Sequence, residues 1–319
     1  MQKIDESSTP KVSFIVIAYN ARSSIRSCLR SILEQEVDKE VILVDNNSTD
    51  DTVDAVRDLP IVVRFEPQQC RGRARNRGLE SAGGQYVAFV DSDVELPKGW
   101  TRKALSLIEI HSDVVAVGGP GLTPGTSWVS KSLDVIQYGT INNGATKFVL
   151  SLPTMNIMYR GDSIRGLRFA YFWAGEDPEF NFRLSERGYR FLWSSELSVV
   201  HHHVHSLGQL AWKTFRYGMW FSALYRRHPK QITPGILFRF IFFPVLVFLT
   251  VLGIAFPESC WLVALWLILP LLAYGYVAIS QNLFINLVQG FQFVVVHSVK
   301  QYAQMLGIWA GVVAGTWRN

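Results

Sequence analysis

The chain has 319 residues, 49% apolar and 18% charged, with 31 basic against 26 acidic side chains and a formal net charge of +5. That length carries a sizeable core with an appendage. The modest charge, without an aromatic-basic RNA motif, finger spacing or basic recognition helix, excludes a nucleic-acid binder. Cys28, Cys70 and Cys260 are an odd, scattered set without a CxxC pair, which excludes a disulfide framework and a cysteine metal site and fits a reducing compartment.

Met1 to Lys11 is polar and mixes both signs of charge, and the apolar run that follows is too short for a signal-peptide core. The soluble part is therefore expected in the cytosol. Val12 to Ala18 is a continuous β-branched run, as in a strand buried on both faces, and it breaks at Tyr19-Asn20. Ile25, Cys28, Leu29, Ile32 and Leu33 form one helical stripe behind a Ser23 or Ser24 cap. A second buried strand, Glu40 to Asp45, ends in an acid. Asn46 to Asp50 supplies turn and capping residues before a helix carrying Val53, Val56 and Leu59. Ile61 to Phe65 reads as a strand, Ala74 to Ala82 as a helix stopped by Gly83-Gly84, and Tyr86 to Val90 as a fourth strand. This alternation predicts an α/β fold with a doubly wound, mostly parallel sheet. No GxGxxG follows the first strand, so a dinucleotide fold is not indicated.

Ligands bind such sheets outside the carboxyl ends of the strands, and three strands end there in polar groups: Ala18-Tyr19-Asn20, Asp45-Asn46 and Asp91-Ser92-Asp93. Asp91 and Asp93 are two residues apart, so their oxygens can converge on one hard divalent cation, Mg²⁺ or Mn²⁺, with a diphosphate completing the coordination. An isolated Asp-x-Asp is also the composition of a solvated turn. Further on, Val114 to Gly118 is strand-like and Leu150 to Tyr159, which holds Asn156, is strand or loop. Gly175-Glu176-Asp177-Pro178-Glu179 opens a helix, and its acids suit either chemistry or the helix dipole. Four of the seven histidines lie in His201 to His205. On a strand His201, His203 and His205 share a face, and one of them is expected to supplement the cation ligands, His201 and His203 being the candidates.

From Ile236 onward only Arg239, Glu258, Lys300 and Arg318 carry a formal charge. Runs 237–256 and 261–280 are each about 20 residues long, which is bilayer length, and a short link joins them into a hairpin. Lys213, Arg216, Arg226, Arg227 and Lys230 precede the first run, which places its start in the cytosol on an anionic membrane surface. Residues 283–300 read as an interfacial helix and 302–316 as a third span. The domain reading is thus a cytosolic domain over 1–205, an amphipathic interface helix over 206–234 and a transmembrane region over 235–319. In the interface helix, aromatics (Trp212, Phe215, Tyr217, Trp220, Tyr225) mix with cations.

Five segments in this order resemble family 2 glycosyltransferases of the GT-A fold. They are Val12 to Asn20, Val44 to Asp50, Arg71-Gly72-Arg73-Ala74-Arg75-Asn76-Arg77-Gly78, the DxD triplet Asp91-Ser92-Asp93, and Gly175-Glu176-Asp177. The resemblance covers about the first 230 positions and departs from the pattern at Asn46, where the family has a second Asp. It implies inverting transfer from a nucleotide-diphosphate sugar. Ala18, Tyr19, Asn20 and Asp45 would hold the nucleoside side of the donor. Arg75 would face the diphosphate, with Asn76 and Ser92 nearby, and Asp91 and Asp93 would take the metal. Asp177 would be the base, with Glu176 its neighbour. No QxxRW follows the ED motif, so processive synthesis is not implied; Arg216-Tyr217 is the nearest substitute and, with Asn156, the candidate acceptor contact. The tail resembles membrane-attached members that use lipid-linked acceptors. A polyprenyl-phosphate monosaccharide synthase is the alternative enzyme. A scaffold subunit with a dead transferase domain would lack the metal pair or the base, and Asp91, Asp93 and Asp177 are all present.

Overall fold

The computed structural model describes residues 11–125, 127–139, 141, 144–202, 206–280, 283 and 286–316. Strand β1 (Val12–Ala18), helix α1 (Ile25–Leu33), β2 (Lys39–Asp45), β3 (Val62–Phe65), α2 (Arg71–Ser81) and β4 (Tyr86–Asp91) follow the alternation read from the sequence. After them come β5 (Val94–Glu95), α3 (Trp100–Ile110), β6 (Val114–Gly118), β7 (Gly121–Leu122) and α4 (Trp128–Tyr138). The first part of the chain then continues through β8 (Thr146–Val149), β9 (Asn156–Arg160), the single turn α5 (Gly161–Ile164), α6 (Glu176–Glu186), β10 (Arg190–Ser194) and β11 (Val199–His201). The long helices α7 (Leu207–Arg227), α8 (Pro234–Ala255), α9 (Trp261–Ser280) and α10 (Leu287–Ala314) complete it.

The main sheet runs β3-β2-β1-β4-β9-β6-β10-β8, and a small sheet runs β5-β11-β7. Strands β3, β2, β1 and β4 are mutually parallel, as is the pair β6 and β10, while β9 and β8 run antiparallel to their neighbours. The fold is therefore an α/β, mostly parallel GT-A-like sheet followed by helices. The apolar runs of β1 and β4 are buried because helices cover both faces, whereas edge strand β3 is exposed along its length. Gly78 lets α2 approach β1 closely: a Cβ there would strike the Ile15 side chain.

The structure departs from the sequence reading in several places. The helix expected through Val53, Val56 and Leu59 is only the 3₁₀ turn Asp54–Val56. Asp50 accepts from the Thr52 amide and hydroxyl, and Pro60 follows at once, so the segment is too short to propagate. Helix α2 starts at Arg71, three residues before Ala74. The segments 283–300 and 302–316 are not separate: Leu287–Ala314 is one helix of 28 residues, because no breaker stands between them.

The chain forms two compact units, one of Met1–Pro124 with Asn142–His202 and one of Gly125–Ile141 with His203–Asn319. Helix α4 thus leaves the sheet domain that the sequence extends over 1–205. Its apolar Val129 and Leu133 pack with Leu210 and Val296 in the second unit. Within that unit α7 lies directly on α10. A Cβ on Gly218 would strike the Gln304 carbonyl, one on Gly307 the Phe215 carbonyl, and one on Gly311 the Met219 carbonyl. Three glycines at the crossing let the backbones touch, and packing there is dispersion over close surfaces. Gly307→Leu is accordingly expected to lower the melting temperature of the purified chain by several degrees. Gly275→Leu, whose Cβ meets nothing within 4 Å, should leave it unchanged. A thermal melt of the two variants checks this.

Candidate active site

Strand register sets the floor of the site. Ala18 pairs with Asp45 and Ile17 with Asp91, so the carboxyl ends of β2, β1 and β4 lie side by side. The Asn46 amide donates to the Ala18 carbonyl at 2.8 Å and clamps the first two ends together. Asp45 is buried and accepts from the Ser48 amide, while Tyr19 is exposed at that edge. Asn20 adopts φ 50, and its side-chain oxygen accepts from the Thr49 amide at 2.8 Å. Its side-chain oxygen thus holds the loop 46–50, while the residue stays exposed at the strand edge.

The Asp91-Ser92-Asp93 triplet lies between β4 and β5. Strand β11 pairs antiparallel with β5, putting His201 opposite Val94, and the His202 amide donates to the Asp93 carbonyl at 3.1 Å. This pairing carries His201 to the triplet: its Nε2 lies 3.5 Å from Asp93 Oδ1. Asp91, Asp93 and His201 each offer one ligand atom, all within 4.8 Å of one another. His201 is buried, while the Asp91 and Asp93 side chains stay 36% and 42% exposed, so ligand positions remain open toward a substrate. Two carboxylates and an imidazole with open positions fit Mg²⁺ or Mn²⁺. His203, the other histidine expected at the metal, lies outside the described residues, as does His205. His202 faces away to Glu95, 3.4 Å from Nε2 to Oε1. Beneath the triplet the buried Cys28 thiol donates to the Asp91 carbonyl at 3.4 Å; burial, with Asp93 and Asp91 nearby, pushes its pKa up.

Arg75 lies between the DxD triplet and the ED motif. Its side chain is only 4% exposed, forms an ion pair with Glu176 and lies 3.6 Å from Asp91 Oδ1. Burial works against its charge, but Glu176, Asp91 and Asp177 outweigh that and raise its pKa. Arg75 therefore joins the DxD triplet to the ED motif. Glu176 is equally buried and is the counter-charge of Arg75. Asn76 is also internal: its amide donates to the Phe169 carbonyl at 3.0 Å and accepts from the Phe169 amide at 2.8 Å, which pins the segment after α5 to α2. Arg75 and Asn76, placed at the donor by the sequence reading, both have internal partners in this chain.

Asp177 keeps part of its surface accessible although protein surrounds it closely. The Thr154 amide approaches it at 3.5 Å. Desolvation first, then Glu176, pushes its pKa up to about 7; Arg75 opposes the shift and Asp91 adds to it. A carboxylate poised there is suited to proton abstraction near neutrality. Asn156 is fully buried; its amide donates to the Leu197 carbonyl at 2.9 Å and its Oδ1 is unpartnered among the described residues. Buried under the sheet edge, it makes no acceptor surface. Arg216 and Tyr217 belong to the second unit, where the Arg216 guanidinium lies 5.9 Å from the Trp212 ring centroid.

Arg71 and Arg73, part of the motif read from the sequence but given no role of their own there, open α2. Asn46 Oδ1 accepts from the Cys70 amide at 3.1 Å and fixes this helix start beside β2. Arg71 lies 5.4 Å from the Trp173 ring and Arg73 4.1 Å from the Tyr171 ring. The cue was present: two further arginines directly precede Ala74-Arg75-Asn76 at a helix N-terminus, where anions are favoured.

Residues 13–175 match Glycosyl transferase family 2. The chain belongs to this family and is a glycosyltransferase using a nucleotide-sugar donor. It is 28% identical over 228 residues to glycosyltransferase AglE of Haloferax volcanii, covering 66% of this chain and 73% of that one. It is 38% identical over 87 residues to UDP-Glc:alpha-D-GlcNAc-diphosphoundecaprenol beta-1,3-glucosyltransferase WfaP of Escherichia coli, which is 26% of this chain and about a third (35%) of that relative. In fold it resembles the mannosyltransferase PcManGT of Pyrobaculum calidifontis, solved with GDP-Man and Mn²⁺, at a TM-score of 0.62 and 20% identity over 96% of this chain and 88% of that one.

The buried pair yields a stability prediction. Removing one partner of a buried ion pair strands the other charge, at a cost of about 3–5 kcal/mol. Glu176→Leu should therefore lower the first unfolding transition markedly. The double variant Arg75→Met/Glu176→Leu should recover part of that loss, as read by chemical denaturation of the two proteins.

Proposed function

We propose that this glycosyltransferase is membrane-anchored and metal-dependent, and moves a sugar with inversion from a nucleotide diphosphate to a hydroxyl of a lipid-linked acceptor at the cytosolic face. One observation carries the reading: the convergence of Asp91, Asp93 and His201 on one side of Arg75, and of Glu176 and Asp177 on the other. Support for the donor comes from the exposed Tyr19 at the strand edge beside Asp45 and from Arg71 at the start of α2. Support for a cation comes from the ligand set and from the Mn²⁺ of the PcManGT complex. A lipid-linked acceptor is supported by the diphosphoundecaprenol acceptor of WfaP. It is supported too by two helices long and apolar enough to cross a membrane, Pro234–Ala255 and the window Pro257–Ser280, of which only 6% and 12% is buried. Phe248, Val251, Ile254, Leu272 and Ile279 stand exposed on them, and a surface of that kind requires an apolar surrounding. The domain order is then a catalytic unit, an interface helix in α7 and an anchor in α8 and α9.

In this mechanism Asp45 accepts hydrogen bonds from the nucleoside, and Arg71 neutralises the diphosphate. A divalent cation at Asp91, Asp93 and His201 would stabilise the negative charge developing on the leaving diphosphate. Asp177 takes the proton of the acceptor hydroxyl while that oxygen bonds to the anomeric carbon. The bond from that carbon to the diphosphate oxygen breaks, and its electron pair leaves with the diphosphate. Arg75 holds the triplet and the ED motif at fixed separation, and its charge favours Asp177 as carboxylate.

Asp93→Ala is expected to abolish Mn²⁺- or Mg²⁺-dependent donor turnover while the chain still folds; unchanged turnover in this variant, with chelator present, removes the cation from the mechanism. Asp177→Asn should lose turnover and retain donor binding. Activity should rise with pH through an acid limb no higher than about 7, because Asp177 works ionised and a bound cation adds charge favouring the carboxylate.

The same shift bears on stability. A carboxyl whose folded pKa is raised binds a proton more tightly when folded, so its contribution to stability is lost as pH rises from the ordinary carboxylate range through about 7. Asp177→Asn should therefore raise the melting temperature more at pH 8 than at pH 5. Product analysis with a polyprenyl phosphate beside a polyprenyl-diphosphate-linked sugar decides between a monosaccharide synthase and an enzyme extending a lipid-linked glycan.

A further inference from the structure

Three consecutive residues reach three parts of the candidate site. The Thr154 amide approaches Asp177 Oδ2 at 3.5 Å, and the Met155 carbonyl accepts from the Asp91 amide at 3.0 Å. The Asn156 side-chain amide donates to the Leu197 carbonyl at 2.9 Å. Leu197 closes the 3₁₀ turn Ser195–Leu197, and β11, which carries His201, begins two residues later.

The Leu197 carbonyl is held twice. Trp100, the first residue of α3, donates to it from Nε1 at 3.2 Å, so both lone pairs of that oxygen meet a fixed side chain. The two donors and Leu197 are fully buried. Gly119 backs the same peptide, since a Cβ there would stand 2.5 Å from the Leu197 oxygen. From this fixed point the chain enters β11, where the Val199 amide donates to the Pro120 carbonyl at 2.9 Å, and His201 ends the strand. Gly121 leaves the room His201 needs: a Cβ there would lie 3.0 Å from His201 Cβ and 2.8 Å from Met155 Sδ.

An amide is an unfavourable choice at position 156. Asn156 opens β9 ahead of the equally buried Ile157 and Met158, and its Oδ1 has no partner among the described residues. A leucine would fill the place without stranding a polar atom. The N–H bond to Leu197 is what the amide adds there.

We propose that Asn156 and Trp100 are positioning residues of the cation site: by fixing the Leu197 carbonyl they set where β11 places His201 relative to Asp91 and Asp93. The inference rests on the cation reading above, and the experiment separates the two.

Mn²⁺ binding to the full chain in a neutral detergent is measured by electron paramagnetic resonance of the free ion, beside a thermal melt. Asn156→Leu should weaken Mn²⁺ binding about tenfold or more, and Trp100→Phe, which keeps a ring and loses the donor, should weaken it in the same direction. Ser13→Ala removes an equally buried hydrogen bond near the amino end of β1; it should lower the melting temperature and leave Mn²⁺ affinity unchanged. His201→Ala should weaken Mn²⁺ binding by itself. Adding Asn156→Leu to it should weaken binding by no more than about twofold further, because a residue acting through His201 has nothing left to position.

If Asn156→Leu does not fold, Trp100→Phe with and without His201→Ala gives the same comparison. Unchanged Mn²⁺ affinity in the folded variants, an equal loss in Ser13→Ala, or losses that add fully to that of His201→Ala overturns the positioning role and leaves the cation reading intact. An unmodified chain that binds no Mn²⁺ overturns the cation reading, and the positioning role with it.

Discussion

A guanidinium buried between two acids is the interaction on which the catalytic unit depends. Arg75 sits on α2, Asp91 ends β4 and Glu176 opens α6, so one side chain ties together three elements far apart in sequence. A charge buried to this degree is tolerable only when paired, and the pairing in turn holds the DxD triplet and the ED motif at a set distance. The arrangement also explains why two adjacent acids have different characters. Glu176 has a cation as its partner, whereas Asp177 is left with burial and neighbouring negative charge, and its pKa moves toward neutrality.

Around this pair the site is assembled by backbone pairing more than by side-chain reach. Register places Asp45, Ala18 and Asp91 on adjoining strand ends, as parallel sheets do. The small sheet then adds what the large one lacks: β11 folds back on β5 and delivers His201 to Asp93. Loop residues complete the frame, with Asn20 holding Thr49 and Asn46 holding Cys70. The Asn at position 46, where the family has an Asp, works here as an acceptor for a backbone amide, a role that needs no charge.

The helical unit follows a different logic. Its closest contact, α7 on α10, is made by glycines that bring backbones together, and its outward faces on α8 and α9 are apolar. Helices α8 and α10 carry one formal charge each, Arg239 and Lys300.

The strand–helix alternation, the carboxyl-edge site and the two long apolar runs were legible in the sequence, because burial on two faces, turn chemistry and bilayer length each leave a periodic or compositional trace. The DxD pair was legible for the same local reason: two residues apart on a strand end fixes a shared face. Partnership was not. That Arg75 and Asn76 are spent inside the protein, that Glu176 is a counter-ion and Asp177 the perturbed acid, and that His201 meets the triplet all depend on contacts across 90 or more positions of chain. The departure of α4 from the sheet domain belongs to the same class. Local sequence determines which surfaces a segment must bury; which group satisfies a buried charge is decided only when tertiary packing brings the two together.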